Sequence, residues 1–455
     1  MAHAISSTSA HEDWFQEPTE PADKKYSVWL ILFQFFFFIA LLGPAIVGIG
    51  VKVTALQEAG AIGADGRAFN SALAVLGGFG AFFATVANVV FGRISDRTTG
   101  KWGRRRPWIL VGTAIMTVGL AVMASGPTLM MATVGWSIAQ LGANMALAPF
   151  IATIADQVPK FQRGKITALL GIAQNAGIVG GVYVASWFGS SLILMFVLPA
   201  VVAIVVAIVF CLVLPDQVLP AKPPRMTLRD WAETFWVNPA KYPDFSFAWW
   251  SRFLITFASF GFTTFRFAYM GHHLGVESAD IPALIANTTL VYTGALMITA
   301  WIAGMLSDRL GRRKVFVWTS TAFFALGTFL LIHINSVAQY YLLEILLGAA
   351  YGVYIGVDLA LVVDVLPNPD DAGKDLGVFN IANALPQTFA PMIGGIVLAA
   401  TGGADGGDYT VWFTICAIAC LVGALVIIPI KRSSKSTARP GRNPRFRPGF
   451  LFWVG

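Results

Sequence analysis

Charge is scarce in this chain: Asp, Glu, Lys and Arg make up 12% of its 455 residues, where soluble domains carry about 25%. So few charges cannot cover a water-facing surface of that size, which excludes a soluble protein. Cysteine is scarcer still. Cys211, Cys416 and Cys420 all fall inside apolar runs, where a free thiol packs as a small hydrophobe, and no two have the spacing of a metal site. The five histidines, His3, His11, His272, His273 and His333, stand in no HExxH or triad-like context. The adjacent His272 and His273 read as solvated residues at a helix end. No catalytic constellation is present, so neither an enzyme nor a bound cofactor or metal is expected. The first 25 residues are polar and acidic, unlike the basic start and apolar core of a cleaved signal peptide.

What the chain has in plenty is apolar length. Hydrophobic residues make up 56%, enough for about twelve bilayer spans at ~20 residues each. Runs broken by charged or Gly/Pro-rich stretches place those spans near 27–50, 69–91, 108–126, 129–155, 166–189 and 191–214, then 246–270, 283–303, 315–335, 337–363, 376–400 and 410–430. A polar stretch at 215–245, holding Pro215, Pro220, Pro223, Pro224 and a candidate amphipathic helix over 227–237, reads as a linker. It joins an N-terminal six-helix bundle (27–214) to a C-terminal one (246–430), with a polar tail at 1–26 and a basic tail at 431–455. The expected fold is an all-α membrane protein of twelve transmembrane helices, monomeric in the bilayer.

Lys and Arg set the orientation. With both termini cytoplasmic, 27 of the 31 fall on the inner side, and only Lys52 and Arg67 are left to the outer loops. That obeys the positive-inside rule for a multi-pass protein of the cell membrane. It also accounts for the net charge of +7 without nucleic acid as a partner.

The two halves repeat in parallel. GRISDRTTGKWGRRRP (92–107) follows span 2, and GMLSDRLGRRK (304–314) follows span 8. Asp156-Gln157-Val158-Pro159 after span 4 matches Asp364-Val365-Leu366-Pro367 after span 10. Two anchors at nearly one offset imply parallel six-helix repeats, with a pseudo-twofold axis along the membrane normal and a substrate path between them. The Gly-x-x-x-Asp-Arg…Gly-Arg-Arg loop resembles the signature of the major facilitator superfamily. Within it, SDRTTGKWGRRRPWI (95–109) and PFIATIAD (149–156) are similar to the sucrose and glycoside–cation symporter branch. One departure is Ile151, where plant-type sucrose carriers show Arg, and it counts against sucrose itself.

The repeated loops read as gates. A short basic turn ties two helices, while Asp96 or Asp308 sits against the N-terminal end of a neighbouring helix and pairs with an Arg from the turn. The gating set is Gly92, Asp96, Arg97, Arg104, Arg105, Arg106, Asp156 and Arg163 in the first half. Its counterpart is Gly304, Asp308, Arg309, Arg312, Arg313 and Asp364.

Four charged residues fall within the expected spans: Arg252 and Arg266 on span 7, Glu344 and Asp358 on span 10. Each costs roughly 2.5–3.5 kcal/mol at a helix centre and so needs a partner or a water-filled cavity. The resemblance implies that spans 1, 4, 7 and 10 line the central path, where all four charges fall. Asp358, with Glu344 second, is the candidate proton carrier, because burial raises a carboxyl's proton affinity toward neutral pH. Gln34, Gln140, Asn144, Asn287 and Asn383, with Arg252 and Arg266, form the candidate substrate pathway, since amides match the hydroxyls of a neutral sugar. The function expected is a proton-coupled carrier of a small neutral solute, a sugar or glycoside. The alternatives are a proton-driven exporter, although span 5 reads GIAQNAGIVGG without the exporter's Gly-Pro, and a transporter-like sensor.

Overall fold

The computed structural model describes residues 18–219, 239, 241–366, 372–403 and 405–430. The candidate amphipathic helix at 227–237 and the basic tail at 431–455 lie outside them. Twelve helices account for the described chain. The first half holds α1 (Lys24–Glu58), α2 (Gly66–Asp96), α3 (Arg106–Ser125), α4 (Leu129–Gln157), α5 (Lys160–Trp187) and α6 (Leu192–Val213). The second holds α7 (Pro243–His272), α8 (Ile281–Leu310), α9 (Arg313–Leu330), α10 (Val337–Asp364), α11 (Ala372–Thr401) and α12 (Thr410–Val426).

Local chemistry sets the helix ends. Asp65, Thr128, Ser191 and Ser336 cap α2, α4, α6 and α10 with side-chain oxygens that accept from the first turn. Gly311, at φ 58°, ends α8 in the left-handed conformation that a side chain resists. Among the described residues, nine helices are long and apolar enough to cross a membrane. The other three are α7, with two arginines and many aromatics, α9, which opens on Arg313-Lys314, and the short α12.

Packing repeats with a shift of six helices. In the first half α1 lies on α5 and α6, α4 on α2 and α3, and α3 on α6. Correspondingly, α7 lies on α11 and α12, α10 on α8 and α9, and α9 on α12. The halves meet through α2 with α11 and α5 with α8, as a pseudo-twofold axis requires. Gly348, Gly352 and Gly356 make one stripe along α10, pressed onto the α8 backbone at Tyr292, Leu296 and Ala300, where any side chain would collide.

The first helix departs from expectation. It continues to Glu58, past the expected end at residue 50, so Lys52 belongs to the helix and not to an outer loop. Its Nζ, buried, donates to the carbonyls of Ala124 (3.0 Å) and Gly126 (2.7 Å) at the end of α3. Those carbonyls have no partner of their own in the helix and carry its negative dipole end, so the burial is compensated. A five-residue π turn, Pro44–Gly48, interrupts α1 at mid-length. Successive helices run antiparallel, so the loops at 97–105 and 311–312 lie at one end, called the basic end below.

Candidate functional site

Between the halves lies a cavity of about 240 Å³. Its walls come from α7, α8, α10 and α11 with Phe324 of α9, and Asn175 and Ile178 of α5 stand opposite with Ile46 presented by the π turn of α1. Aromatic faces (Phe260, Phe262, Tyr292, Tyr351) alternate with the amides of Asn175, Asn383 and Gln387. The charged members of the wall are Arg266 and Glu344.

These two are fully engaged with each other. Arg266 Nη2 stands 2.8 Å from Glu344 Oε1. Its Nε donates to Tyr340 Oη at 2.9 Å, Nη1 to Thr289 Oγ1 at 3.0 Å, and Nη2 also to Thr288 Oγ1. Tyr340 in turn donates to Glu344 Oε1. Most of the guanidinium donors are thus spent inside the protein, and little of that charge is left for a ligand. Glu344 is 1% exposed, and its second oxygen, Oε2, has no hydrogen-bond partner among the described residues. A buried carboxylate oxygen on a cavity wall is an acceptor awaiting a donor.

The second buried pair, also between α7 and α10, is Arg252 Nη1 to Asp358 Oδ2 at 3.0 Å. The Arg252 guanidinium lies 4.9 Å from the centre of the Phe379 ring of α11, a cation–π contact. Of the pathway residues read from the sequence, Arg266 and Asn383 line the cavity, beside Glu344, the second candidate proton carrier. The others are placed differently. Gln34 donates to Gln174 at 3.0 Å, tying α1 to α5. Asn144 bonds to Asn88 (3.2 Å) and to the Gln140 carbonyl (3.0 Å), tying α4 to α2. Asn287 accepts from Tyr183 at 2.9 Å, across the two halves.

At the basic end each half builds an Asp–Arg–Asp cluster. Arg105 lies 2.6 Å from Asp96 and 2.9 Å from Asp156, with Arg104 2.6 Å from the other Asp156 oxygen. The second half repeats this with Arg313, 3.3 Å from Asp308 and 2.8 Å from Asp364. The first cluster is buried around Arg105 at 5% side-chain exposure, the second half-exposed around Arg313 at 31%. Burial weakens the hold of the Arg104 guanidinium on its proton, the Arg105 charge adds to this, and the carboxylates oppose it.

The expected pairing of Asp96 with an Arg of the turn is present, but a different acid sits at the helix N-terminus. Asp216, just after α6, accepts from the backbone N–H of Arg105 (2.7 Å) and of Arg106 (2.9 Å). Arg106 donates its side chain to the Leu214 carbonyl, and Arg163 caps α4 through the Val158 and Ala155 carbonyls. Gly92 packs on Ala148 of α4, Arg97 caps α2, Gly304 lies in α8, and Arg309 and Arg312 are exposed.

The opposite end is where hydrogen bonds join the halves. Arg67 Nε donates to the Gly403 carbonyl (2.8 Å), Asn70 Nδ2 to the Gly406 carbonyl (3.1 Å), and Tyr409 Oη to Asn70 Oδ1 (3.2 Å). Gly66 sits so close to the Asp405 carbonyl that a Cβ would collide with it. Phe69 of α2 stacks on Phe267 of α7, with ring centres 6.0 Å apart. Asp408 is held below the usual carboxylate range by backbone and side-chain hydrogen bonds at Thr410, against a smaller burial effect, with His273 adding to the pull.

Two parallel six-helix bundles, related by a twofold and enclosing a cavity of aromatic and amide side chains, form the architecture of a membrane transport protein. The chain belongs to the Major Facilitator Superfamily, whose profile matches residues 28–303 and again 249–453. No curated protein matches the sequence. Solved transporters share the fold at low identity. A bacterial homolog of the human lysosomal transporter Spinster, inward-facing and occupied, aligns at TM-score 0.67 and 13% identity over 90% of this chain and 97% of its own. A variant of the nucleoside transporter NupG aligns at TM-score 0.69 and 16% identity, covering 89% and 99%. The D-xylose–proton symporter aligns at TM-score 0.66 and 15% identity, covering 90% and 98%.

Proposed function

We propose that this transporter carries a small neutral, hydroxyl-bearing solute, a sugar or glycoside, by proton-coupled alternating access in the cell membrane. The observation that carries the reading is the cavity wall. Arg266 is committed to Glu344, Tyr340, Thr288 and Thr289, so the polar groups with capacity to spare are Glu344 Oε2, the amide of Asn383, and the amides of Asn175 and Gln387, each of which spends one donor on a carbonyl one turn back. Such a wall accepts and donates to hydroxyls, stacks a ring on its aromatic faces, and disfavours an anion beside Glu344.

The basic end is taken as cytoplasmic by the positive-inside rule, so the end where hydrogen bonds join the halves faces outward and the solute leaves inward. Asp358 is the coupling carboxylate in this reading. Its proton neutralises the partner of Arg252 and loosens the α7–α10 tie at 3.0 Å, and proton release restores it. The D-xylose–proton symporter is one instance of such coupling on this fold. A panel of radiolabelled mono- and disaccharides, offered to proteoliposomes with and without an inward proton gradient, tests the proposal. Gradient-stimulated uptake of a neutral sugar supports it. Intact protein that takes up none of them moves the reading to export.

A further inference from the structure

At the end opposite the basic one a short stretch, residues 405–409, reaches across to α2, and one histidine bonds to it. His273 Nδ1 lies 3.2 Å from the Gly407 carbonyl and Nε2 lies 3.1 Å from the Ile334 carbonyl. Carbonyl oxygens only accept. A neutral imidazole has one N–H, so one of its nitrogens would point a lone pair at an oxygen, whereas the imidazolium donates to both. The ring is fixed in that orientation by stacking on Tyr269, centres 4.8 Å apart, with Tyr409 edge-on at 6.4 Å.

The groups that face His273 are few. Asp408 and Tyr409 come from the α11–α12 connection, and Tyr269 from its own helix. His272, its neighbour, turns away to the Phe69 ring of α2 and feels Asp405. On the α9–α10 corner, His333 lies beside Ile334 and turns its ring onto Phe329. Arg67 of α2 bonds to Gly403. The carboxylate of Asp408 therefore favours a positive ring at the position where both nitrogens meet acceptors.

Gly407 is one residue from the contact between the halves. Gly406 accepts from Asn70, Tyr409 donates to it, and Gly66 packs on Asp405. We propose that His273 is a protonation-dependent clasp whose imidazolium holds residues 405–409 against α2, keeping this end of the solute path closed until the proton leaves. His273 acts through that stretch and is a positioning residue for transport. The imidazolium bonds both carbonyls only in the closed arrangement, so the closed-to-open ratio is higher where the ring is charged and falls as pH rises, by at most about tenfold per pH unit for one proton.

The test needs no substrate. Ala59 and Ser278 are exposed at this end on opposite halves. Spin labels on Ala59→Cys and Ser278→Cys in the full chain, in lipid nanodiscs, report the separation by double electron–electron resonance between pH 5.5 and 8.5. The open, long-distance population is expected to rise by roughly threefold or more, and most of that rise to be lost once His273→Gln is added, the remainder being the Asp358 coupling step. Asp358→Asn and Glu344→Gln should keep the response, which separates the clasp from the coupling proton. A pH-insensitive parent, an unchanged response in His273→Gln, or a response abolished by Asp358→Asn alone overturns the assignment. If His273→Gln does not assemble, the ring ¹⁵N signals of the unsubstituted protein decide: a His273 doubly protonated at the acid end of that range supports the clasp, and a ring that stays neutral throughout overturns it.

Discussion

Replacing Arg266 by Met probes the central network most directly. Arg266 is 6% exposed, pairs with Glu344 at 2.8 Å, and donates to Tyr340, Thr288 and Thr289. The substitution keeps the apolar stem and leaves Glu344, 1% exposed, with the Tyr340 hydroxyl as its remaining partner. Removing one partner of a buried pair costs ~3–5 kcal/mol, because the other charge is stranded. That is roughly two to three and a half powers of ten in the unfolding constant. Thr288 loses little, since its hydroxyl also donates to the Leu284 carbonyl at 2.7 Å. Adding Glu344→Leu removes the stranded charge, and replacing both partners of a buried pair by apolar side chains is often neutral or stabilising. The double variant should therefore recover at least ~2 kcal/mol of the loss. Reversible unfolding in mixed micelles, followed by tryptophan fluorescence, measures both steps of the cycle. A double variant as unstable as Arg266→Met alone refutes the reasoning, because it shows that no stranded charge was being relieved. Both variants should lose solute transport, since both alter the cavity wall.

Three further outcomes are expected. Asp96→Asn should insert normally yet transport poorly, because it removes one of the two carboxylates bridged by Arg105 at 2.6 and 2.9 Å; wild-type uptake at equal surface abundance removes Asp96 from the gate. Asp358→Asn should abolish accumulation driven by a pH gradient while leaving solute exchange, and retained accumulation ends its coupling role. Asp216→Ala strips the N-terminal cap from α3 and should cost about 0.5–2 kcal/mol, read as a lowered midpoint in the same micelle titration; an unchanged midpoint rejects the cap.

Much of this architecture was legible in one dimension. Apolar runs broken by charged or Gly/Pro-rich stretches located the twelve helices of the described residues, nine of them by bilayer length and hydropathy alone, because such a run is a local property, and caps such as Asp65 and Ser336 sit where the runs begin. The repeated SDR…GRR loops named the acids and arginines that meet at the basic end, since each motif closes within one tight corner and the helix beside it. The scarcity of charge singled out Arg252, Arg266, Glu344 and Asp358, and all four are paired.

What the sequence could not supply was the choice of partners. Which arginine meets which acid depends on how α7 and α10 are rotated against each other, and that rotation is set largely by their packing on α8, α9, α11 and α12. Gln34 and Asn144 carry amides suited to a sugar, yet the rotation of α1 and α4 turns them to Gln174 and Asn88. Lys52 lay beyond the expected end of its helix, and only the arrival of the α3 terminus explains its burial. His273 looked like a solvated residue at a helix end; the corner at Ile334 and the turn at Gly407 enclose it from opposite sides. Periodicity and composition therefore determined which segments cross the membrane and where charge is tolerated. The lateral packing of twelve helices decided which polar groups satisfy one another and which are left facing the path.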